Sequence, residues 1–172
     1  MLRKASRIAA AAALLVLGAA AAEATPAEIA RGKYLVAIIG CTDCHTQGGL
    51  TGHMDRTRFL GGSDVGFAIP GLGVFDGPNL TPDKTGLGAW SVDDIVTAIT
   101  QGKRPDGRML APVMPYGDLV NLTPADARAI AVYLKTIKPL VHANPGPWGP
   151  SEKPTVLVMP VVPAEVYVGF GK

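Results

Sequence analysis

The sequence of 172 residues has little of several things: two cysteines, three histidines and only 6% aromatic residues. Two cysteines three positions apart would give a weak disulfide staple, so a disulfide-stabilised scaffold is not supported. After residue 22, no apolar run approaches the roughly 20 residues that a membrane-spanning helix needs. No internal repeat is visible. The length allows one domain with a real core, or one domain plus an arm.

The N-terminus has the pattern of an export signal. Arg3, Lys4 and Arg7 precede an apolar run over residues 8–22, and small residues close that run. The run is too short for a spanning helix, so we predict a cleaved signal peptide over residues 1–22 rather than an uncleaved anchor. No cysteine stands at the cleavage site to take a lipid. We therefore expect a periplasmic protein without a permanent membrane anchor.

The chain lacks a charge excess of either sign. From Glu23 onward it carries 13 Lys and Arg against 14 Asp and Glu. A basic surface for nucleic acid or anionic lipid is not supported by this balance. We expect no nucleic-acid partner.

Three segments predict helices, because each begins with a capping residue followed by apolar periodicity. They begin at Thr25, Ser91 and Thr123; the first runs to about Ile39 and the second stops before Gly102. In contrast, residues 48–88 hold 11 of the 21 glycines and show no sustained periodicity. A loop of this length is typical of a segment that wraps a cofactor or carries function, with short helical or hairpin pieces inside it.

The residues from Pro139 onward contain seven of the 15 prolines. They predict an extended arm, in which residues 156–162 are apolar enough to pack on the domain or on a partner. Packing on its own domain is the simpler interpretation.

The motif that carries chemistry is C-T-D-C-H at residues 41–45. Two thiols about one helical turn apart can add to the two vinyl groups on one edge of a haem, and His45 can then reach the iron from one face. The spacing is a haem-attachment signal, and histidine is a common axial ligand. We predict one covalent haem c on Cys41 and Cys44.

Two other uses of such cysteines fit less well. A thioredoxin-like pair follows a strand and opens a helix, whereas this motif follows a predicted helix. A structural zinc site needs four ligands, and besides residues 41–45 only His53 is near.

A second axial ligand has several candidates: Met54, Met109, Met114, Met159, His53 and His142. Met114 stands between Pro112 and Pro115, and the prolines stiffen the backbone that would hold a weak thioether ligand. Met54 is too close to the cysteine pair to cross easily to the other haem face. We predict His45 and Met114 as the axial pair, although most methionines only fill cores.

The sequence resembles the monohaem class I cytochromes c, and within them the cytochrome subunits of periplasmic alcohol- and gluconate-type dehydrogenases. The matching stretches are RGKYL at 31–35, CTDCHT at 41–46, GPNLTP at 77–82, WS at 90–91, MPY at 114–116 and AIAVYL at 129–134. The resemblance implies an all-α cytochrome c fold, with about three main helices around one haem. To this fold the sequence itself adds long glycine-rich loops and a proline-rich C-terminal arm. It also implies that Gly32 lies at a helix crossing, with Tyr133 or Leu134 opposite.

We expect three parts: a signal peptide at 1–22, a cytochrome c domain at 23–140 and a C-terminal extension at 141–172, of which only the cytochrome c domain follows the family pattern. The chain departs from the related subunits, which often carry three haem motifs and a C-terminal anchor. Asn79, Thr81 and Trp90 are possible haem or propionate contacts, because buried carboxylates need donors. Turn chemistry for Asn79 and Thr81, and core packing for Trp90, explain them equally well.

These observations predict an electron carrier rather than an enzyme. It would take single electrons from a periplasmic dehydrogenase and pass them to an oxidase or another cytochrome. Three alternatives stay open: a dedicated haem subunit of one dehydrogenase complex, a five-coordinate catalytic or gas-sensing haem protein, and a haem-free thiol oxidoreductase.

Overall fold

The structure is a computed structural model that describes residues 23–167, so the predicted signal peptide lies outside the described residues. The described part contains six α-helices, one short 3-10 helix and three strands. The helices are α1 (Pro26–Ile38), α2 (Cys41–His45), α3 (Val92–Gln101), α4 (Tyr116–Leu119), α5 (Pro124–Thr136) and α6 (Ala164–Tyr167). The strands are β1 (Val65–Ile69), β2 (Gly73–Asp76) and β3 (Leu157–Pro160). None of the described helices combines the length and apolarity that crossing a bilayer requires.

The three predicted helices are confirmed as α1, α3 and α5, and their capping residues explain where they begin. Thr25 and Thr123 each accept a hydrogen bond of 3.1 Å from the backbone N–H three residues later. Ser91 forms a full capping box with Asp94, in which each side chain accepts from the other residue's backbone N–H. Gly102, in the left-handed conformation, ends α3. Local sequence thus fixes these boundaries.

The core lies where α1 crosses α5, and Gly32 makes that crossing possible. A Cβ at Gly32 would overlap the backbone carbonyl of Ala129 and would come within 2.7 Å of Tyr133 Cβ. Beside the crossing, Arg31 Nε donates to Asp126 Oδ1 at 2.8 Å and Arg31 Nη2 donates to Asp126 Oδ2 at 3.2 Å. The helices therefore approach as closely as their backbones allow.

Replacing Gly32 with valine is expected to lower the free energy of unfolding by about 3 kcal/mol, because the new side chain meets a rigid backbone oxygen. Urea unfolding followed by circular dichroism measures the change. Lys33→Val is the matched control, since it places the same residue at the next, exposed position of α1. Equal midpoints for the two variants would mean that the crossing tolerates a side chain.

The hydrophobic core is formed by side chains from α1, α3 and α5 and from the glycine-rich segment. They are Leu35, Val36, Leu60, Leu87, Ile95, Ile130, Ala131, Tyr133 and Leu134. Lys135, at the end of α5, ties one loop to this core: its Nζ donates to the carbonyls of Leu87, Gly88 and Trp90 at 2.8–3.0 Å. The loop before α3 is thereby held against α5.

The prediction of an all-α fold is wrong, because the described chain contains a three-stranded mixed sheet in the order β2-β1-β3. β1 and β2 form an antiparallel hairpin inside the glycine-rich segment, with Phe67 opposite Phe75. Aromatic and β-branched residues favour strands, and Gly71 and Gly73 supply positive φ angles of 77° and 121° at the turn. The expectation of hairpin pieces in this segment is confirmed.

The C-terminal segment completes the sheet. β3 runs parallel to β1, with Val65 paired to Leu157, and Trp148 exchanges backbone hydrogen bonds of 2.9 and 3.0 Å with Val74 of β2. The pairing of β3 with β1 joins residues about 90 positions apart, so no local sequence pattern predicts it. The proline-rich arm therefore packs on its own domain through backbone hydrogen bonds.

Candidate functional site

The cysteines lie on α2, a single helical turn that follows α1 directly. Gly40, with φ of 78°, breaks the chain direction between the two helices. Cys41 and Cys44 are both half-buried and neither is in a disulfide. Their shared turn matches the geometry that the spacing predicts for two attachment points on one edge of a porphyrin.

His45, the last residue of α2, is buried and oriented by one hydrogen bond. Its Nδ1 lies 2.8 Å from the carbonyl oxygen of Pro78, which can only accept, so Nδ1 carries the proton. Burial lowers the pKa of His45, and the bond to Pro78 only partly opposes this. A neutral ring with Nδ1 engaged has Nε2 free as a ligand atom, and Nε2 has no hydrogen bond among the described residues.

The backbone before Pro78 forms a close cradle for this histidine. A Cβ at Gly77 would overlap the carbonyl oxygen of Cys44 and would lie 3.3 Å from His45 Nδ1. Only glycine lets the chain pass so near the end of α2. The donor set and this close approach fit a covalently attached haem whose iron takes one histidine.

The thiols do not fit thiolate chemistry. Burial raises the pKa of Cys41 to about 11. Burial and the nearby charge of Asp43 also raise the pKa of Cys44. A thiol-exchange enzyme needs a lowered cysteine pKa, and zinc needs deprotonated sulfur. Within residues 23–167, moreover, no three His, Cys, Asp or Glu side chains converge on a possible metal position.

Met114 lies on a turn that immediately precedes α4, and it is half-buried. Its backbone N–H donates to Ala111 O at 2.9 Å, and its carbonyl accepts from the Tyr116 N–H at 2.8 Å. Residues 112–118 line a cavity of about 350 Å³. Backbone hydrogen bonds therefore hold the turn on both sides of Met114, and the turn borders this cavity.

The other candidates for a second axial ligand lie elsewhere. Met109 is 57% exposed in the loop after α3, and Met159 is 41% exposed on β3. Met54 is half-buried near the 3-10 helix, His53 is exposed and His142 is half-buried in the C-terminal segment. None of these residues lies on α2 with the cysteines. Met114 as the second ligand stays a prediction.

Asn79 and Thr81 are fully buried, and their side chains hold the C-terminal segment. Asn79 Nδ2 donates to Leu140 O at 2.8 Å and to His142 O at 3.3 Å, while its Oδ1 accepts from the Thr81 N–H and hydroxyl. Thr81 Oγ1 in turn accepts from the Leu140 N–H at 3.0 Å. The sequence offered haem contact or turn chemistry for these residues; their partners here are protein groups, and contact with haem stays a prediction.

Trp90 is half-buried against the core, and the guanidinium of Arg104 lies 5.5 Å from the centre of its ring. Nε of Arg104 lies 3.4 Å from Asp106 Oδ2, whereas Nε of Arg58 is buried and has no hydrogen-bond partner in the described part of the chain. A buried donor without an acceptor is costly, and an anionic group such as a carboxylate would satisfy Arg58. Contact between Trp90 and a haem stays a prediction.

Sequence reasoning missed two residues of this site. Pro78 acts through its backbone carbonyl, which no side-chain pattern reveals. Asn144 lies in the proline-rich segment, where asparagine indicates a turn, yet its side chain bonds to the backbone on both sides of Pro78. Leu60 also supports this region. It is fully buried with a φ of 56°, an angle that is uncommon for a residue other than glycine, and its N–H donates to Thr46, the residue after His45.

Comparison with known proteins gives consistent matches. Residues 29–138 match the Cytochrome c family. The cytochrome c subunit of the quinone alcohol dehydrogenase of Gluconobacter oxydans (strain 621H) is 31% identical over 146 residues, which are 82% of this chain and 29% of that subunit. The fructose dehydrogenase cytochrome subunit of Gluconobacter japonicus is 35% identical over 131 residues, 72% of this chain and 25% of that subunit.

The gluconate 2-dehydrogenase cytochrome c subunit of Pantoea cypripedii is 35% identical over 124 residues, 71% of this chain and 26% of that subunit. The chain thus spans about a quarter of the length of each of these relatives. The matched family segment contains α2, His45 and Met114, and it ends before Asn144.

Proposed function

The chain belongs to the cytochrome c family, which binds haem c covalently, and on this premise we propose that it is a periplasmic carrier of single electrons with His45 and Met114 as axial iron ligands. Cys41 and Cys44 would hold the porphyrin through thioether bonds. When bound, the haem supplies a one-electron iron couple. The protein's own part is to fix the ligands and control access to the metal.

The observation that carries this proposal is the hydrogen bond from buried His45 Nδ1 to Pro78 O at 2.8 Å. Metal-ligating histidines almost always use their second nitrogen in this way, because the bond fixes the tautomer and the ring orientation. An ordinary surface histidine after two cysteines would have no such partner. The same burial keeps His45 neutral, as a ligand must be.

Met114 would close the opposite coordination position. Its turn is held by backbone hydrogen bonds and flanked by prolines, so little conformational entropy is lost when a weak ligand binds. A soft thioether favours the ferrous state and raises the reduction potential. If His45 and Met114 both bind the iron, no site on it would be open to a substrate, which favours electron transfer over five-coordinate catalysis or gas sensing.

The raised pKa of Cys41, about 11, argues against the haem-free thiol oxidoreductase. Such an enzyme attacks with a thiolate, and almost none is present at neutral pH. The protonated thiols suit addition to a vinyl group in a maturation system instead.

The electron donor we propose is a periplasmic dehydrogenase, because the relatives are cytochrome subunits of alcohol, fructose and gluconate dehydrogenases. The acceptor we propose is a terminal oxidase or another cytochrome. Export would follow from a signal peptide at 1–22, with a cytochrome c domain at 23–140 and an extension at 141–172.

A second candidate function is a dedicated haem subunit of one dehydrogenase complex. It is favoured by the C-terminal residues from β3 onward, which carry six exposed apolar side chains: Leu157, Val158, Met159, Val161, Val166 and Tyr167, between 41% and 76% exposed. Exposed apolar side chains concentrated in one short segment are typical of a protein interface. We call these six residues the C-terminal apolar set.

One experiment tests both functions. The full chain is produced in a bacterium that matures cytochromes c. The periplasmic fraction is then mixed with a quinone alcohol dehydrogenase, a fructose dehydrogenase or a gluconate dehydrogenase, together with the substrate of that enzyme. We expect substrate-dependent reduction of the haem, followed by reoxidation on adding membranes that contain a terminal oxidase. A haem-loaded protein that none of these dehydrogenases reduces would contradict the proposed donor class.

Gel filtration separates the two candidates. A free carrier elutes at the size of the single chain, whereas a dedicated subunit elutes with the dehydrogenase in fixed ratio. In the second case Leu157→Asp with Val161→Asp is expected to release the chain from the complex. Val141→Asp is the matched control, because Val141 is also an apolar residue, 75% exposed, outside the C-terminal apolar set.

A further inference from the structure

The carbonyl of Pro78, which accepts the His45 hydrogen bond, is held in position by the residues next to Pro78 in the chain. Pro78 has no N–H, and its carbonyl is engaged with His45 at 2.8 Å. Its position is therefore set by the peptide groups on either side, the Gly77 carbonyl and the Asn79 N–H. Whatever fixes those two groups also fixes the length and angle of the bond to His45.

A single side chain reaches both of these groups. Asn144 Oδ1 accepts from the Asn79 N–H at 2.8 Å, and Asn144 Nδ2 donates to the Gly77 carbonyl at 3.0 Å. The same nitrogen donates to Asp76 Oδ2 at 3.1 Å. One amide thus pins the backbone immediately before and after Pro78, from a position 66 residues away along the chain.

The surroundings fit this amide closely. A Cβ at Gly62 would lie 2.8 Å from both Asn144 Nδ2 and Asn144 Oδ1, so glycine is needed there to make room. The segment that carries Asn144 is fastened upstream, where the His142 N–H donates to Thr85 Oγ1 at 2.9 Å, and downstream, where Trp148 pairs with Val74. The amide is therefore held in place rather than free to rotate.

We propose that Asn144 is a positioning residue for the iron ligand: by clamping both peptide groups that flank Pro78, it sets the strength of the His45 hydrogen bond and, through it, the reduction equilibrium. This inference rests on the proposed function, in which His45 ligates iron. A strong Nδ1–H···O=C bond makes an imidazole ligand more basic, which stabilises the ferric state. Asn144 lies outside residues 29–138, the part matched by the family, so the C-terminal segment adds this control.

The test compares the full haem-loaded chain with Asn144→Ala in two measurements. The first is the solvent exchange of the His45 Nδ1 proton, followed by NMR in the reduced protein; we expect exchange about tenfold faster, in line with a weakened hydrogen bond. The second is the reduction equilibrium against a fixed redox partner, which we expect to shift about threefold toward the reduced form, because the ligand becomes less basic.

Two control variants separate positioning from a loss of structure. Thr85→Val removes the acceptor of the His142 N–H and of Asn79 Nδ2 and so loosens the same segment, while it leaves both bonds from Asn144 to the groups flanking Pro78 in place. Asn121→Ala is the matched chemical control, since its exposed amide bonds only to Asp118 O. We expect both controls to stay close to the unmodified protein. Asn144→Ala behaving like Thr85→Val in both measurements would overturn the inference.

A variant of similar size covers the case in which Asn144→Ala does not fold. Asn144→Asp keeps an acceptor for the Asn79 N–H but loses the donor to the Gly77 carbonyl, so we expect the same direction of change in proton exchange. An exchange rate equal to that of the unmodified protein would overturn the inference. If the unmodified chain carries no haem, or its iron is not bound by His45, the proposed function fails instead.

Discussion

Replacing both Cys41 and Cys44 with alanine is expected to abolish covalent haem attachment completely. The two thiols lie on one turn of helix, and the described chain contains no other sulfur that could form a thioether, since it has no further cysteine. Haem staining of a denaturing gel and the intact mass measure the outcome: the double variant should give an unstained band at the mass of the polypeptide alone.

The control for this experiment changes the residues between the cysteines. Thr42→Ala with Asp43→Ala alters the same turn but leaves both thiols, so its band should stain like that of the unmodified protein. A stained band from the double cysteine variant would show that haem is attached elsewhere. An unstained band from the unmodified chain, in a host that matures cytochromes c, would end the proposed function.

Replacing Met114 with alanine is expected to open one axial position of the iron. The ferrous variant should then bind carbon monoxide readily, whereas the unmodified protein should not. The reduction potential should fall by a few tenths of a volt, within the range of about 0.8 V that axial ligands span, because the soft sulfur that stabilises ferrous iron is lost. Visible spectra and a redox titration measure both effects.

Met109→Ala is the matched control, because it removes the same side chain from an exposed position five residues earlier. It should leave the spectrum, the potential and the resistance to carbon monoxide unchanged. An unchanged spectrum in Met114→Ala, with no carbon monoxide binding, would show that another residue is the second ligand, and Met54 would be the next to replace.

The helices could be predicted from the sequence because their signals are local. Thr25, Ser91 and Thr123 each bond to a backbone N–H three residues ahead, so the cap and its partner stand in one short stretch. The C-T-D-C-H motif is equally local, since its two sulfurs and its imidazole share one helical turn. Such short-range signals account for α1, α3 and α5 and for the haem-attachment motif, which lies on α2.

The pairing of β3 with β1 and the support of His45 could not be predicted, because both depend on pairs far apart in the chain, whereas the β1–β2 hairpin is local. β1 pairs with β3 across about 90 residues, and every residue of β3 is exposed, so it shows no alternation of apolar and polar side chains. The acceptor for His45 is a backbone carbonyl 33 residues away. Asn79 illustrates the same limit: the sequence offered haem contact or turn chemistry for it, but its bonds to Leu140 and His142 require the final path of the chain.

The short third strand has a consequence for the behaviour of the protein in concentrated solution. β3 lies at the edge of the sheet, and an exposed apolar edge is a template for fibril-like association. Here the strand is only four residues long and ends on Pro160, with Pro154 before it and Pro163 after it. Proline cannot donate to a neighbouring strand, so Pro160 offers a second copy no N–H, and the edge left for pairing is short. A short edge that ends on proline limits self-templated aggregation while its apolar side chains stay exposed.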